Sequence, residues 1–334
     1  MKRALEIFAA VVLLVVIGAA VVVWIGSYAS MDRDFTHTQL TNALDAFQPD
    51  RSTRAMPVLS RIESGQFTFR ARTAGFGGTR GNVILLHGFP ESSAMYEPMI
   101  PVLASAGYQV VAFDQRGYSP GARPSQPAQY TIDKLVGDVF AVADTVGFND
   151  FHLVGHDWGA AVGWQIVFQR SPRVRSWTAL SIPHLGAYAD AIITDPDQQS
   201  RSRYIGFFRT PWIPETVFTF NGLAMMRTAI YATHRDEIVA EYVSIFSEPG
   251  ALTAALNWYR ASELTAGAGN VDVSIPTAFI WGNQDPVVGD RSVETQDRYF
   301  KGNLTVTELD TGHWLMETAA DAVTGAVLNH LNAQ

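Results

Sequence analysis

The sequence predicts an α/β fold: a mostly parallel sheet with helices on both faces, an inserted helical lid, and an N-terminal transmembrane helix. Three observations carry that expectation. Short apolar runs of buried-strand type alternate with helical stretches along most of the chain, the pattern of a parallel sheet buried on both sides. The alternation stops between His184 and about Thr265, where a helical, aromatic-rich stretch contains no strand-like run. Near the N-terminus, Ile7 through Ile25 form an unbroken run of 19 uncharged residues, about the length that crosses a bilayer as a helix.

Composition narrows the function classes. The 334 residues are 47% hydrophobic and 17% charged, enough apolar material for a large globular core. A formal net charge of −8 disfavours nucleic acid as a partner. The chain has no cysteine, which excludes disulfides, thiolate metal sites and cysteine nucleophiles. Lys2 and Arg3 precede the apolar run, whereas Asp32, Arg33 and Asp34 follow it, so the positive-inside tendency predicts an extracytoplasmic catalytic domain on a single-pass anchor. A cleaved signal ending near Ser27-Tyr28-Ala29 and a start at Met31 are the alternatives, though the run exceeds a usual signal core.

In order, residues 1–30 read as anchor or signal and 31–61 as a polar tether. Residues 62–183 form the first part of the core, 184–265 the lid, and 266–334 the second part of the core. Strands are expected at Gln66–Arg72, Asn82–Leu86, Tyr108–Asp114, Ser176–Ile182, Thr277–Trp281 and Leu304–Leu309. Thr131–Val146 is an amphipathic helix with Thr131 as a cap and Gly147 at its end. A closing helix is expected over Leu315–Leu331.

The chemistry centres on Val154-Gly155-His156-Asp157-Trp158-Gly159. A strand, a tight turn and a helix with glycines two positions either side of the central residue make the nucleophile elbow of α/β-hydrolases. The central residue here is Asp157 where serine is usual. In an open parallel sheet ligands gather beyond the carboxyl ends of the strands, and the order nucleophile, acid, histidine selects Asp157, Asp285 and His313. The strand before the lid ends in Ser181-Ile182-Pro183 and offers no competing carboxylate.

An aspartate nucleophile implies a particular electrophile. Attack on an ester would give a reactive anhydride, whereas attack on saturated carbon gives an ordinary alkyl ester. Water activated by His313 and Asp285 can then hydrolyse that ester, with backbone N–H groups of Phe89 and Trp158 stabilising the oxyanion. An epoxide or an alkyl halide supplies such a carbon. An epoxide oxygen needs a proton donor, and tyrosine suits that role.

The sequence resembles an α/β-hydrolase-fold epoxide hydrolase from roughly Phe67 to the C-terminus. The resemblance rests on His87-Gly88-Phe89-Pro90-Glu91, Gly155-His156-Asp157-Trp158-Gly159, Asn257-Trp258-Tyr259-Arg260 and Gly312-His313-Trp314. It implies that two lid tyrosines open the ring: Tyr259 by its motif, and Tyr204. His184, by its place at the core–lid junction, is the substitute donor, though a structural role there is favoured. The resemblance also implies a cis bond before Pro90; no metal or organic cofactor is expected, and the apolar, aromatic lid beside a bilayer points to a lipophilic small-molecule epoxide as substrate. Tyr188, Tyr231 and Tyr242 read as packing residues, and His87 and His156 as supports for their turns. A haloalkane dehalogenase with the same nucleophile is the rival, weakened by Phe89, which stands where that family has asparagine. A membrane-tethered binding protein without catalysis is the alternative from another class.

Overall fold

The computed structural model describes residues 11–22, 36–49, 54–262 and 271–334. Eight strands form one sheet: β1 (Val58–Ser64), β2 (Phe67–Ala74), β3 (Gly81–Leu86), β4 (Tyr108–Phe113), β5 (Phe151–His156), β6 (Val174–Leu180), β7 (Thr277–Gly282) and β8 (Leu304–Leu309). Their spatial order is β1-β2-β4-β3-β5-β6-β7-β8. β1 pairs antiparallel with β2, and β2 antiparallel with β4; every later pairing is parallel. Chain order reverses at β3, whose neighbours are β4 on one side and β5 on the other. That reversal opens a crevice at the carboxyl ends of β3 and β5.

The central strands are buried along their length, as continuous apolar runs in parallel sheets must be. Two buried clusters cover the two faces: one contains Phe113, Phe151, Trp164 and Trp177, the other Met99, Ile100, Leu103, Val323 and Val327. The helix after β4 runs Ile132–Thr145; Thr131 is its N-cap, but its side chain makes no capping hydrogen bond.

Three details differ from the sequence expectation. β1 begins at Val58, inside the stretch read as tether. Its apolar alternation is too short to stand out, and it becomes a strand because every residue from Val58 to Ser64 finds a partner on β2. The closing helix is broken into Leu315–Thr318 and Ala320–Asn332, with Ala319 non-helical at φ −144°. Residues 11–22 are helical with exposed side chains, yet among the described residues no helix is long and apolar enough to cross a membrane. The remainder of the expected 7–25 span lies outside the described residues, as does the end of the expected lid at 263–265.

Between β6 and β7 the described chain is helical, from Leu185–Thr194 to Ala251–Ala261. This lid sits over the carboxyl end of the sheet, where Trp258 Nε1–H donates to the Arg116 carbonyl and the Tyr231 hydroxyl to the Pro90 carbonyl.

Candidate active site

Asp157 occupies the turn between β5 and the helix Trp158–Phe168 with φ 49° and ψ −117°. A non-glycine residue pays about 1–3 kcal/mol for such a conformation and holds it only where the surroundings over-determine it. Gly159 is what lets them do so. A Cβ there would come within 2.1 Å of the Leu86 carbonyl oxygen, so glycine alone lets the helix press onto the end of β3. Gly88 faces the same turn: a Cβ on it would lie 2.4 Å from that of Asp157.

The three residues expected to act together meet at this rim. His313 Nδ1 donates to Asp285 Oδ2 at 2.7 Å, and His313 Nε2 lies 3.6 Å from Asp157 Oδ2. Asp285 is pinned in turn, its Oδ1 accepting from the N–H groups of Val287 (2.6 Å) and Val288 (3.1 Å). Burial pushes the His313 imidazolium down, but Asp285, and then Asp157, outweigh it and hold the group at about 10. The ring is thus a cation between two carboxylates.

Across from the histidine, the Phe89 N–H donates to Asp157 Oδ1 at 2.8 Å, and the Phe89–Pro90 bond is cis, as the resemblance implies. Trp158 opens its helix, so its N–H belongs to the first turn, where no intrahelical acceptor exists. Asp157, His313, Tyr204 and Tyr259 line one cavity of about 150 Å³ with Phe89, Pro90, Phe208, Ile230, Val287 and Trp314. The Tyr204 and Tyr259 rings lie 6.3 Å apart, and Tyr259 packs edge-on to Trp158 at 4.9 Å. Burial first, and then neighbours that include Asp157, push both phenols well above their ordinary range. Both remain protonated donors near neutral pH.

His184 is not part of this cavity. It stacks on Tyr299 at 4.2 Å, its Nδ1 accepts from Gly186 N–H, and its Nε2 contacts the Val271 carbonyl at 3.0 Å. Burial holds its pKa down at about 4. It is a joint between lid and core, and it is not among the residues that line the cavity with Asp157. Asp114 and Arg116 tie down the loop after β4: Ser93 N–H donates to Asp114 at 2.8 Å, and Arg116 pairs with Asp138.

One group of residues escaped the sequence reading. Behind His313, the buried Glu91 lies 3.0 Å from His156 Nδ1 and 3.6 Å from His234 Nε2, with Glu317 beside it. His156 Nε2 donates to the His313 carbonyl at 2.9 Å. Burial would raise the Glu91 carboxyl, but His156 and then His234 hold it at about 2. Glu91 ends the His87–Glu91 motif and Glu317 follows His313 by one helical turn, so both were visible. Nothing local in the sequence marks His234.

Residues 81–320 match the α/β-hydrolase-fold family. Epoxide hydrolase 4 of Mus musculus is 30% identical over 278 residues, covering 80% of this chain and 77% of the relative. Epoxide hydrolase A of Mycobacterium tuberculosis is 31% identical over 293 residues, covering 75% and 89%. The chain belongs to the α/β-hydrolase-fold epoxide hydrolase family. A solved structure described among novel epoxide hydrolases from metagenomes of hot environments superposes with a TM-score of 0.72 at 28% identity, covering 82% of this chain and 98% of that one. As a member of the epoxide hydrolase family, the protein is a hydrolase.

Proposed function

We propose that the protein opens a small lipophilic epoxide to a vicinal diol through an ester on Asp157. The observation that carries this reading is the cavity in which a carboxylate faces two protonated tyrosines, Tyr259 buried and Tyr204 half-buried, with His313 and Asp285 behind the carboxylate. An Asp157 oxygen attacks a ring carbon, the C–O bond of the ring breaks, and Tyr259 with Tyr204 protonates the departing oxygen. Water then attacks the ester carbonyl while His313 Nε2 takes its proton. The Phe89 and Trp158 N–H groups hold the oxyanion until the diol oxygen leaves and is protonated. The balance is one epoxide and one water to one diol.

Charge explains the order of events. In the resting site His313 is an imidazolium and no base. Esterification of Asp157 removes one of the two flanking negative charges and lowers the imidazolium, so that its proton passes to the tyrosinate left by ring opening and the neutral imidazole can then accept one from water. The base thus becomes available when the ester exists to be hydrolysed.

Turnover in heavy-oxygen water tests the scheme. A first-cycle diol free of label, with the label retained on Asp157, is expected; direct labelling of the first diol would overturn it. Paired tyrosines favour an oxygen leaving group over a halide, so chloride release from haloalkanes without diol formation would favour the dehalogenase reading instead.

A membrane tether with the catalytic domain on the extracytoplasmic side is also part of the proposal. Helical residues 11–22 are apolar on every face and exposed, a pattern suited to lipid rather than water. Retention of the full chain in alkali-washed membranes is expected, and quantitative release would count against the tether.

A further inference from the structure

We infer that Glu91, His234 and Glu317 form a binding site for one divalent cation of the zinc type, behind the catalytic histidine and separate from the ring-opening cavity. One ligand atom from each lies within 4.8 Å of the others. Tetrahedral zinc with ligands at about 2.0 Å sets neighbouring ligand atoms about 3.3 Å apart, and His234 Nε2 already stands 3.6 Å from Glu91 Oε1. Two carboxylates and an imidazole are donors that zinc accepts, with a fourth position left for water.

The state of these side chains points to a ligand. All three side chains are fully buried, and no hydrogen bond of good geometry reaches the oxygens of Glu91 or Glu317 or the nitrogens of His234; what they have are looser contacts, His156 and His234 to Glu91 and the Arg235 backbone N–H to Glu317. Buried polar atoms without partners cost about 1–3 kcal/mol each, more when charged. Two nearby groups compensate only in part. His156 Nδ1 stands 3.0 Å from Glu91 Oε2. Arg235 Nε stands 3.7 Å from Glu317 Oε2, on a side chain that is half exposed. A cation among the three ligands would satisfy atoms that these contacts leave without a bond.

The three ligands come from three separate segments. Glu91 follows the Phe89–Pro90 turn, His234 precedes the lid helix Asp236–Ser247, and Glu317 lies in the short helix after His313. A bound cation therefore pins the lid to both loops that hold reacting groups. It takes no part in ring opening, and its binding is read without substrate, so the site and the epoxide reading can fail independently.

The test uses the purified full chain, free of any affinity tag and stripped of metal, with zinc chloride alone in calorimetry and cobalt(II) as the visible probe. One equivalent of zinc, a higher melting temperature with zinc, and the intense visible bands of tetrahedral cobalt are expected. Glu317→Gln and His234→Gln should each weaken binding by more than about 100-fold, beyond the 10–100-fold typical of losing an outer-shell partner, and should lose the cobalt bands. If Glu317→Gln does not fold, the lid variant His234→Gln carries the test, and its fold is checked by the metal-free melt. No stoichiometric binding by the wild type, or unchanged cobalt bands in a folded variant, would overturn the site.

Discussion

Replacing His313 by glutamine should separate the two halves of the reaction. The ring is nearly inaccessible, held by Asp285 at 2.7 Å and standing 3.6 Å from Asp157. Glutamine removes the only group poised to take a proton from water at that carboxylate, yet its amide N–H₂ can still donate to Asp285 Oδ2. Asp285 also keeps its bonds from the Val287 and Val288 N–H groups, so the loss of folding stability should stay near the about 1–3 kcal/mol of one disturbed buried partner. A general base contributes roughly 10²–10⁴ in rate, and at about 1.36 kcal/mol per decade the hydrolytic barrier rises by about 2.7–5.4 kcal/mol. Attack by Asp157 needs no base and proceeds. The variant should consume about one equivalent of styrene oxide per chain and then stall, carrying the mass of one epoxide on the peptide that contains Asp157. Wild-type turnover, or consumption of substrate with no adduct, would refute the two-step route.

Three further predictions use the same geometry. Asp157→Asn should reduce diol formation to background in a chromatographic assay, and retained turnover would remove Asp157 from the reaction. Tyr259→Phe should slow ester formation in single-turnover experiments by about 10²-fold or more, the lower range for a lost general acid. Tyr204→Phe in the same background should slow it again, and wild-type ester formation in Tyr259→Phe would remove that hydroxyl from the mechanism. The pH prediction concerns stability. His313 is raised from the ordinary 6.5 to about 10 in the folded chain, so its stabilising contribution is complete below about 6.5 and is lost as pH rises through about 10. Melting temperature should fall across that alkaline window, and the fall should be smaller in His313→Gln; equal slopes in the two proteins would contradict the assignment.

The charge relation between His313 and Asp157 also links structure to the order of the steps. In the proposed scheme a histidine that is a resting cation stabilises the carboxylate beside it, and the same ring becomes a base only after that carboxylate is esterified. On that scheme one pair of side chains would serve both halves of the reaction. The lid then has to supply only the proton donors and an apolar wall.

Much of this was legible in the chain because it is encoded locally. The apolar runs of β3, β4, β5 and β7 are periodic signals a few residues long, and the elbow is a turn whose glycines are required by contacts between adjacent segments. The order Asp157, Asp285, His313 follows from which strand each residue ends. β1 was not legible, since its strand character comes from pairing with β2 and not from its own pattern. Convergence over distance was equally hidden. That Tyr204 and Tyr259 share a 150 Å³ cavity with Asp157, while His184 is turned away against Tyr299, depends on how the lid helices pack. The meeting of Glu91, His234 and Glu317 depends on three segments far apart in the chain. The sequence by itself determined the sheet, the elbow and the carboxylate at its centre, because backbone periodicity and turn chemistry act over a few residues. Only the tertiary structure decided which lid side chains face Asp157 and which buried charges lie behind it, because those distances are set by packing across the whole domain.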